Sequence, residues 1–218
     1  MEAPIPNQLS AQEAEEGFEL LFNGTDLSGW RTYREEAPRP QWQVIDGAMV
    51  LTEAGGGDLV TEEKFDDFDL RFDWKISVNG NSGVMWRVAE TQDYPWRTGP
   101  EYQILDSFDK PDHKYPREIA KGNIGGCFYD LVPALPEWSN PPDEWNEGRI
   151  VVDDTRITLY LNGHVTADVD TSTPKWEAML AKSKFHGWDF FNKEDEGRIC
   201  LQDHQDVVAF RNLRIKPL

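Results

Sequence analysis

Several things are scarce in this sequence, and each shortage removes a class of explanation. Two cysteines, Cys127 and Cys200, occur in 218 residues, so no disulfide framework can hold the fold. No CxxC or His-x-His spacing suggests zinc. Both cysteines sit in strand-like runs and are expected as buried thiols, with a single disulfide as the alternative. Basic residues are few: 22 Lys and Arg against 40 Asp and Glu leave a net charge of −18. A field of that sign repels phosphate backbones and anionic lipid surfaces, which argues against nucleic-acid or membrane partners. Its simplest consequence is solubility. No apolar run approaches the ~20 residues a membrane span needs. The opening MEAPIPNQLSAQEAEEG lacks the basic and apolar regions of a signal peptide and reads as a mature N-terminus with an added Met. Gly55, Gly56 and Gly57 are not followed by a helix or a Lys–Thr pair, so they form a flexible loop and no phosphate cradle.

What is present suits one large core. The hydrophobic share is 39%, with nine Trp, and no linker or repeat divides residues 1–218, so we expect a single domain. Residues 1–16 form an N-terminal extension with a short helix, opened by a Ser10–Glu13 capping box and closed at Gly17. The clearest periodicity is FDLRFDWKI, where Phe68, Leu70, Phe72, Trp74 and Ile76 alternate with charged residues, the mark of a half-buried strand. WQVIDGAMVLT reads as two strands turning at Asp46–Gly47, and RIVVDDTRITLYLNGHVTADVD as a pair turning at Asn162–Gly163. NSGVMWRVAE, EYQILD and GGCFYDLV add further strands, and the Pro-rich residues 133–144 a long loop. One credible helix covers about residues 174–183, after Thr173, with Trp176, Met179 and Leu180 as its apolar stripe. Many short strands and little helix predict an all-β, two-sheet sandwich with one or two short helices.

The strand EYQILD carries a puzzle. Residues two apart share a face, so Glu101 and Gln103 stand side by side with Leu105, while Tyr102 and Ile104 point to the core. On the preceding strand the same parity puts Gly83, Met85 and Arg87 together. An acid and an amide on the front of an apolar-backed strand suit a site on a concave outer face.

The ordered set of motifs LSAQEAEEGFELLFNGTDLSGW, NSGVMWR, EYQILD, GGCFYDLVPA, EWN with LYLNG, and ICLQDHQDVVAFRNLRIKPL strongly resembles the 3-keto-disaccharide hydrolase family over nearly the whole chain. The resemblance implies a concanavalin A-like jelly-roll β-sandwich, action on disaccharides or glycosides already oxidised to a ketone at C3, and export to the periplasm or medium of a bacterial cell. One departure is visible: where the family commonly has Gly after LQDH, this chain has Gln205.

A ketone at C3 acidifies the hydrogen at C2, so a base can remove it and the enolate can expel the oxygen at C1. Such chemistry needs a base near C2, a cationic or donor group near the C3 oxygen, and an acid near the leaving oxygen. His204 and Glu101 are the candidate bases, and Arg87 the candidate partner of the developing oxyanion. Without the LQDH match, His204 alone would read as a hydrogen-bonded loop histidine. Arg87 also reads as an ion-pair partner of Glu101. Gln103 and Gln202 could hold sugar hydroxyls, Tyr129 and Trp96 could stack on a pyranose, and Lys121 could donate a hydrogen bond. Asp106 has the opposite parity to Glu101 and joins a site only if the strand ends or bulges there. Glu101, Gln103 and His204 would also make a mixed oxygen and nitrogen set for a divalent metal ion; no cofactor is otherwise indicated. Two other readings stand beside the keto-sugar enzyme. One is a non-catalytic carbohydrate-binding module, since a fold never fixes function. The other is an ordinary glycosidase using Glu101 and Asp106.

Overall fold

A computed structural model describes residues 6–108 and 112–218; the first five residues of the N-terminal extension lie outside the described residues. Thirteen strands form among them: β1 (Glu19–Leu20), β2 (Trp30–Thr32), β3 (Trp42–Ile45), β4 (Ala48–Leu51), β5 (Leu59–Thr61), β6 (Phe68–Ile76), β7 (Asn81–Val88), β8 (Glu101–Leu105), β9 (Asn146–Asp153), β10 (Arg156–Leu161), β11 (His164–Asp170), β12 (Arg198–Leu201) and β13 (Val208–Pro217). They make two antiparallel sheets. The first runs β11-β10-β9-β6-β13-β4-β3, with β1 also on β13; the second runs β2-β5-β12-β7-β8.

The alternation in β6 decides which way this sandwich faces. Phe68, Leu70, Phe72, Trp74 and Ile76 are all buried and meet Val84 and Trp86 of β7 and Tyr102 and Ile104 of β8 in one core. Phe72 and Tyr102 touch edge to face across the sheets, 5.3 Å between ring centroids. Each such side chain contributes about 1.5–3 kcal/mol on burial, so the inward faces fix both sheets' registers. The hairpins at Asp46–Gly47 (φ 50° and 72°) and Asn162–Gly163 (φ 48° and 81°) adopt the left-handed pair of conformations that matches the strand twist.

Helices are short. α1 (Ala11–Glu16) has the full capping box between Ser10 and Glu13 and ends at Gly17 with φ 88°. α2 (Pro116–Lys121) escapes the sequence reading: it is six residues long and buries none of them, so it leaves no apolar stripe to read. α3 (Pro174–Leu180) is capped by the Thr173 hydroxyl and buries Trp176; the expected helix extends three residues too far, because residues 181–183 form turns. Cys127 and Cys200 are buried free thiols.

The run after α2 covers the open edge of the second sheet. Gln103 donates its N–H to the Cys127 carbonyl (3.1 Å), Gly126 to that of Gln103 (2.9 Å), and Tyr129 to that of Glu101 (3.0 Å). These bonds bring Tyr129 beside Glu101.

Candidate active site

Strand register builds the site floor. Val60, Cys200, Met85 and Glu101 lie in one row across β5, β12, β7 and β8. In the next row Gly83 stands opposite Gln103, and the Gln202 N–H donates to the Gly83 carbonyl at 2.9 Å. Glu101, Gln103 and Gln202 therefore share the outer face of the second sheet. With Tyr129, Trp96 and His204 they line one cavity of about 390 Å³. Asn81, Lys184 and Trp188 line it too and escaped the sequence reading. Asn81 has the parity of Gly83 and could have been found that way. Lys184 and Trp188 come from an irregular segment between α3 and β12, where no periodicity points anywhere.

Glu101 is 5% exposed. Its carboxylate fits because Gly83 has no side chain: a Cβ there would lie 2.5 Å from Glu101 Oε1. Burial pushes the Glu101 carboxyl up to about 7. The charges of Asp58 and Glu118 act in the same direction, and Lys184 and the Gln202 amide oppose it. Lys184 Nζ packs 4.0 Å from the Tyr129 ring centroid, and its backbone N–H donates to Asp130 at 2.7 Å. Desolvation lowers the Lys184 ammonium below its ordinary value, while Glu101, Asp130 and Glu118 hold it up. Burial raises the Tyr129 phenol well above the usual range.

The polar wall is partly pre-satisfied. The Gln103 amide nitrogen donates to Asn81 Oδ1 at 2.7 Å, whereas the buried Gln202 Oε1 has no partner among the described residues. It remains an acceptor for a ligand hydroxyl. One side is aromatic. Trp96 and Trp188 lie 5.5 Å apart, Tyr94 stacks on Trp96 at 5.2 Å, and the Arg97 guanidinium packs 4.8 and 4.6 Å from the two indoles. Such rings suit the apolar face of a sugar.

His204 lies in the loop after β12 and reaches the cavity. The loop is clasped to its neighbour: Asp203 accepts the Gly55 and Gly57 N–H groups at 3.0 and 2.9 Å, and its own N–H donates to Asp58 at 3.0 Å. Burial pushes the Asp58 carboxyl up to about 7, with the Asp203 charge adding to the rise. Gln205 comes next with φ 71°, a conformation natural to the glycine that the family resemblance implies there.

Three expected residues are placed elsewhere. Arg87 does not line the cavity; it bonds Asp67 at 3.3 Å and lies 3.7 Å from Asp66. The cause is a bulge. Cys200 pairs with Met85 but Arg198 with Val88, so β7 holds an extra residue, and Arg87 takes φ 51°. Parity is inverted beyond that point, and Met85 and Val88 share the outer face. Gly197 makes room for the bulge, since a Cβ there would collide with the Arg87 backbone. Asp106 is buried and is not among the lining residues; its carboxylate accepts the Asn79 N–H at 2.7 Å and the Phe108 N–H at 3.3 Å. Lys121 is exposed, 3.7 Å from Asp130.

Glu101, Gln103 and His204 do share the cavity, but their donor set suits a hard divalent cation poorly. Glu101 is held toward its neutral form, and a lysine ammonium faces the same space. Among the described residues no three His, Cys, Asp or Glu side chains are grouped to hold a metal ion.

Comparison with known proteins decides the family. The profile described as a 3-keto-alpha-glucoside-1,2-lyase-like domain matches residues 17–216. The chain belongs to this family. It is 30% identical to a 3-keto-disaccharide hydrolase of Bacteroides thetaiotaomicron over 231 aligned positions, 93% of this chain and 79% of that protein. A crystal structure from Parabacteroides distasonis, described as a candidate glycosyl hydrolase, superposes with a TM-score of 0.86 at 31% identity, covering 98% of this chain and all of that one. A second from the same organism gives a TM-score of 0.66 at 24% identity, over 92% and 99% of the two chains, and supports the sandwich fold alone.

Proposed function

We propose that this family member is a carbohydrate-active hydrolase that cleaves the glycosidic bond of sugars carrying a ketone at C3. The observation that carries the reading is the cavity's chemistry. A buried carboxyl poised at about 7 shares one hollow with an imidazole, an ammonium and two indoles. A binding module has no need of a carboxyl tuned to neutrality, whereas proton transfer does. Family membership favours the keto sugar over an unoxidised one. Asp106 stands outside the lining, which leaves Glu101 as the one carboxylate among the described lining residues and removes the acid pair of an ordinary glycosidase.

In this scheme His204 takes the proton from C2, and the C–H electron pair becomes the enolate spread over C2, C3 and the C3 oxygen. Lys184 assumes the part expected of Arg87 and neutralises that oxygen. The enolate then collapses, the C1–C2 double bond forms, and the C1–O bond breaks. Glu101, partly protonated near pH 7, hands a proton to the departing oxygen. Water adding across the double bond completes net hydrolysis. Gln202 and the indoles orient the ring.

Incubation with an aryl glucoside and with its 3-keto form tests the reading, aryl alcohol release being measured. Release from the keto form alone is expected, and its loss in Glu101→Gln and His204→Ala. Equal release from both forms, or binding with no release from either, refutes it.

A further inference from the structure

The hydrogen bonds around His204 specify more than its position. Tyr115 Oη lies 3.2 Å from His204 Nδ1 and 2.9 Å from Asp206 Oδ2, and the two rings meet edge to face at 5.6 Å. A phenol has one proton and must choose between these neighbours. Asp206 already faces two donors, the Lys114 ammonium at 2.5 Å and the Asn81 N–H at 3.1 Å. A carboxylate facing an ammonium and an N–H can only accept. The phenol proton therefore goes to Asp206. Its oxygen is left as an acceptor, and the contact with His204 is satisfied only if Nδ1 carries a hydrogen. A neutral imidazole has one such hydrogen, so Nε2 holds a bare lone pair, and it has no hydrogen-bond partner among the described residues.

Tyr115 is itself held in place. Its N–H donates to His113 Nδ1 at 2.9 Å, and His113 Nε2 reaches the Asp106 carbonyl at 2.5 Å. This gives buried Asp106 a part as an anchor of the segment that carries Tyr115. Asp206 also ties the relay to the cavity wall, since the Asn81 that it binds lines the same hollow as His204.

We infer that Tyr115 is a positioning residue: with Asp206 behind it, it fixes His204 as the Nδ1–H tautomer and leaves Nε2 unprotonated, ready to accept a proton. Free neutral imidazole prefers the opposite tautomer, so the protein must impose this one. The catalytic half of the inference rests on the function proposed above; the tautomer does not. When Nε2 takes a proton, the new imidazolium is stabilised through Tyr115 by the Asp206 carboxylate, as the orienting acid of a catalytic triad acts through its histidine.

Heteronuclear NMR of isotope-labelled imidazoles, in alkaline solution where imidazoles are neutral, reads the tautomer with no substrate. His204→Gln identifies the signal among the four histidines. The expected result is a protonated Nδ1 and a bare Nε2 in the unaltered chain, reverting to the common Nε2–H form in Tyr115→Phe. An Nε2–H tautomer in the unaltered chain overturns the inference whether or not the variant folds, and so does a folded Tyr115→Phe that keeps Nδ1–H. With an aryl 3-keto-glucoside, Tyr115→Phe should lower kcat roughly 10- to 100-fold, part of the roughly 10²- to 10⁴-fold that a positioned general base contributes, with KM within about twofold. If the tautomer reverts but kcat does not move, tautomer control stands and the assignment of His204 as the base falls.

Discussion

Gly83→Ala is the sharpest test of how the site is assembled, because it adds one methyl group at a position that has no functional side chain of its own. The new Cβ would stand 2.5 Å from Glu101 Oε1, 2.9 Å from Cγ and 3.0 Å from Cδ. The first of these is about 1 Å inside ordinary van der Waals contact. The carboxylate cannot absorb that by swinging into water, since Glu101 is 5% exposed, and Cγ is crowded as well. The strand pair Gly83–Gln103 is continuous on both sides, so the backbone resists too. Overpacking of this kind costs about 1–3 kcal/mol, partly offset by the roughly 0.5–1 kcal/mol that alanine gains over glycine in a strand. For a chain of this size the net change lowers Tm by only a few degrees. Activity should suffer far more: displacement of a catalytic group by about 1 Å costs on the order of 10²-fold in rate. Thermal melting and kcat on the 3-keto substrate, measured together, separate the two effects. A folded Gly83→Ala protein with unchanged kcat would refute the claim that the carboxylate of Glu101 must occupy the space that Gly83 leaves.

Three further outcomes rest on the same geometry. Glu101 keeps its proton longer in the folded state, with its carboxyl raised from 4.5 to about 7, so this residue's contribution to stability falls as pH rises from about 4.5 to about 7. Glu101→Gln should match the parent in melting near pH 4 and exceed it above pH 7, by up to roughly 3 kcal/mol; a gap that shrinks with rising pH contradicts the assignment. Lys184→Met removes the cation that lowers the Glu101 carboxyl, so the pH–rate limb belonging to Glu101 should move to higher pH, with kcat reduced by roughly 10²-fold; an unmoved limb places the ammonium outside the reaction. Gln205→Gly relieves a side chain held at φ 71° and should stabilise the fold by about 0.5–1 kcal/mol, read as a Tm rise of a few degrees; a fall in Tm would show that the glutamine side chain contributes contacts that outweigh the strain.

The sequence by itself determined the sandwich, because alternation is a local property: each of the five apolar residues of FDLRFDWKI is buried, and the two Asx–Gly turns close where their backbone freedom allows. It also put Glu101 and Gln103 on one face through the parity of β8, and both line the cavity. Parity failed at Arg87, where one extra residue in β7, admitted by the distant Gly197, inverts the facing of the rest of that strand. Nor could a strand pattern reveal that Glu101 is buried at all; the 126–129 run and the neighbouring walls desolvate it, and that desolvation brings its carboxyl near neutrality. Lys184 and Trp188 arrive from an irregular segment, and Tyr115 meets His204 from 89 positions away. Periodicity reports which way a side chain points from its own strand. What covers it, what charge faces it and which proton it carries are set by segments distant in sequence, and only the folded chain brings those together.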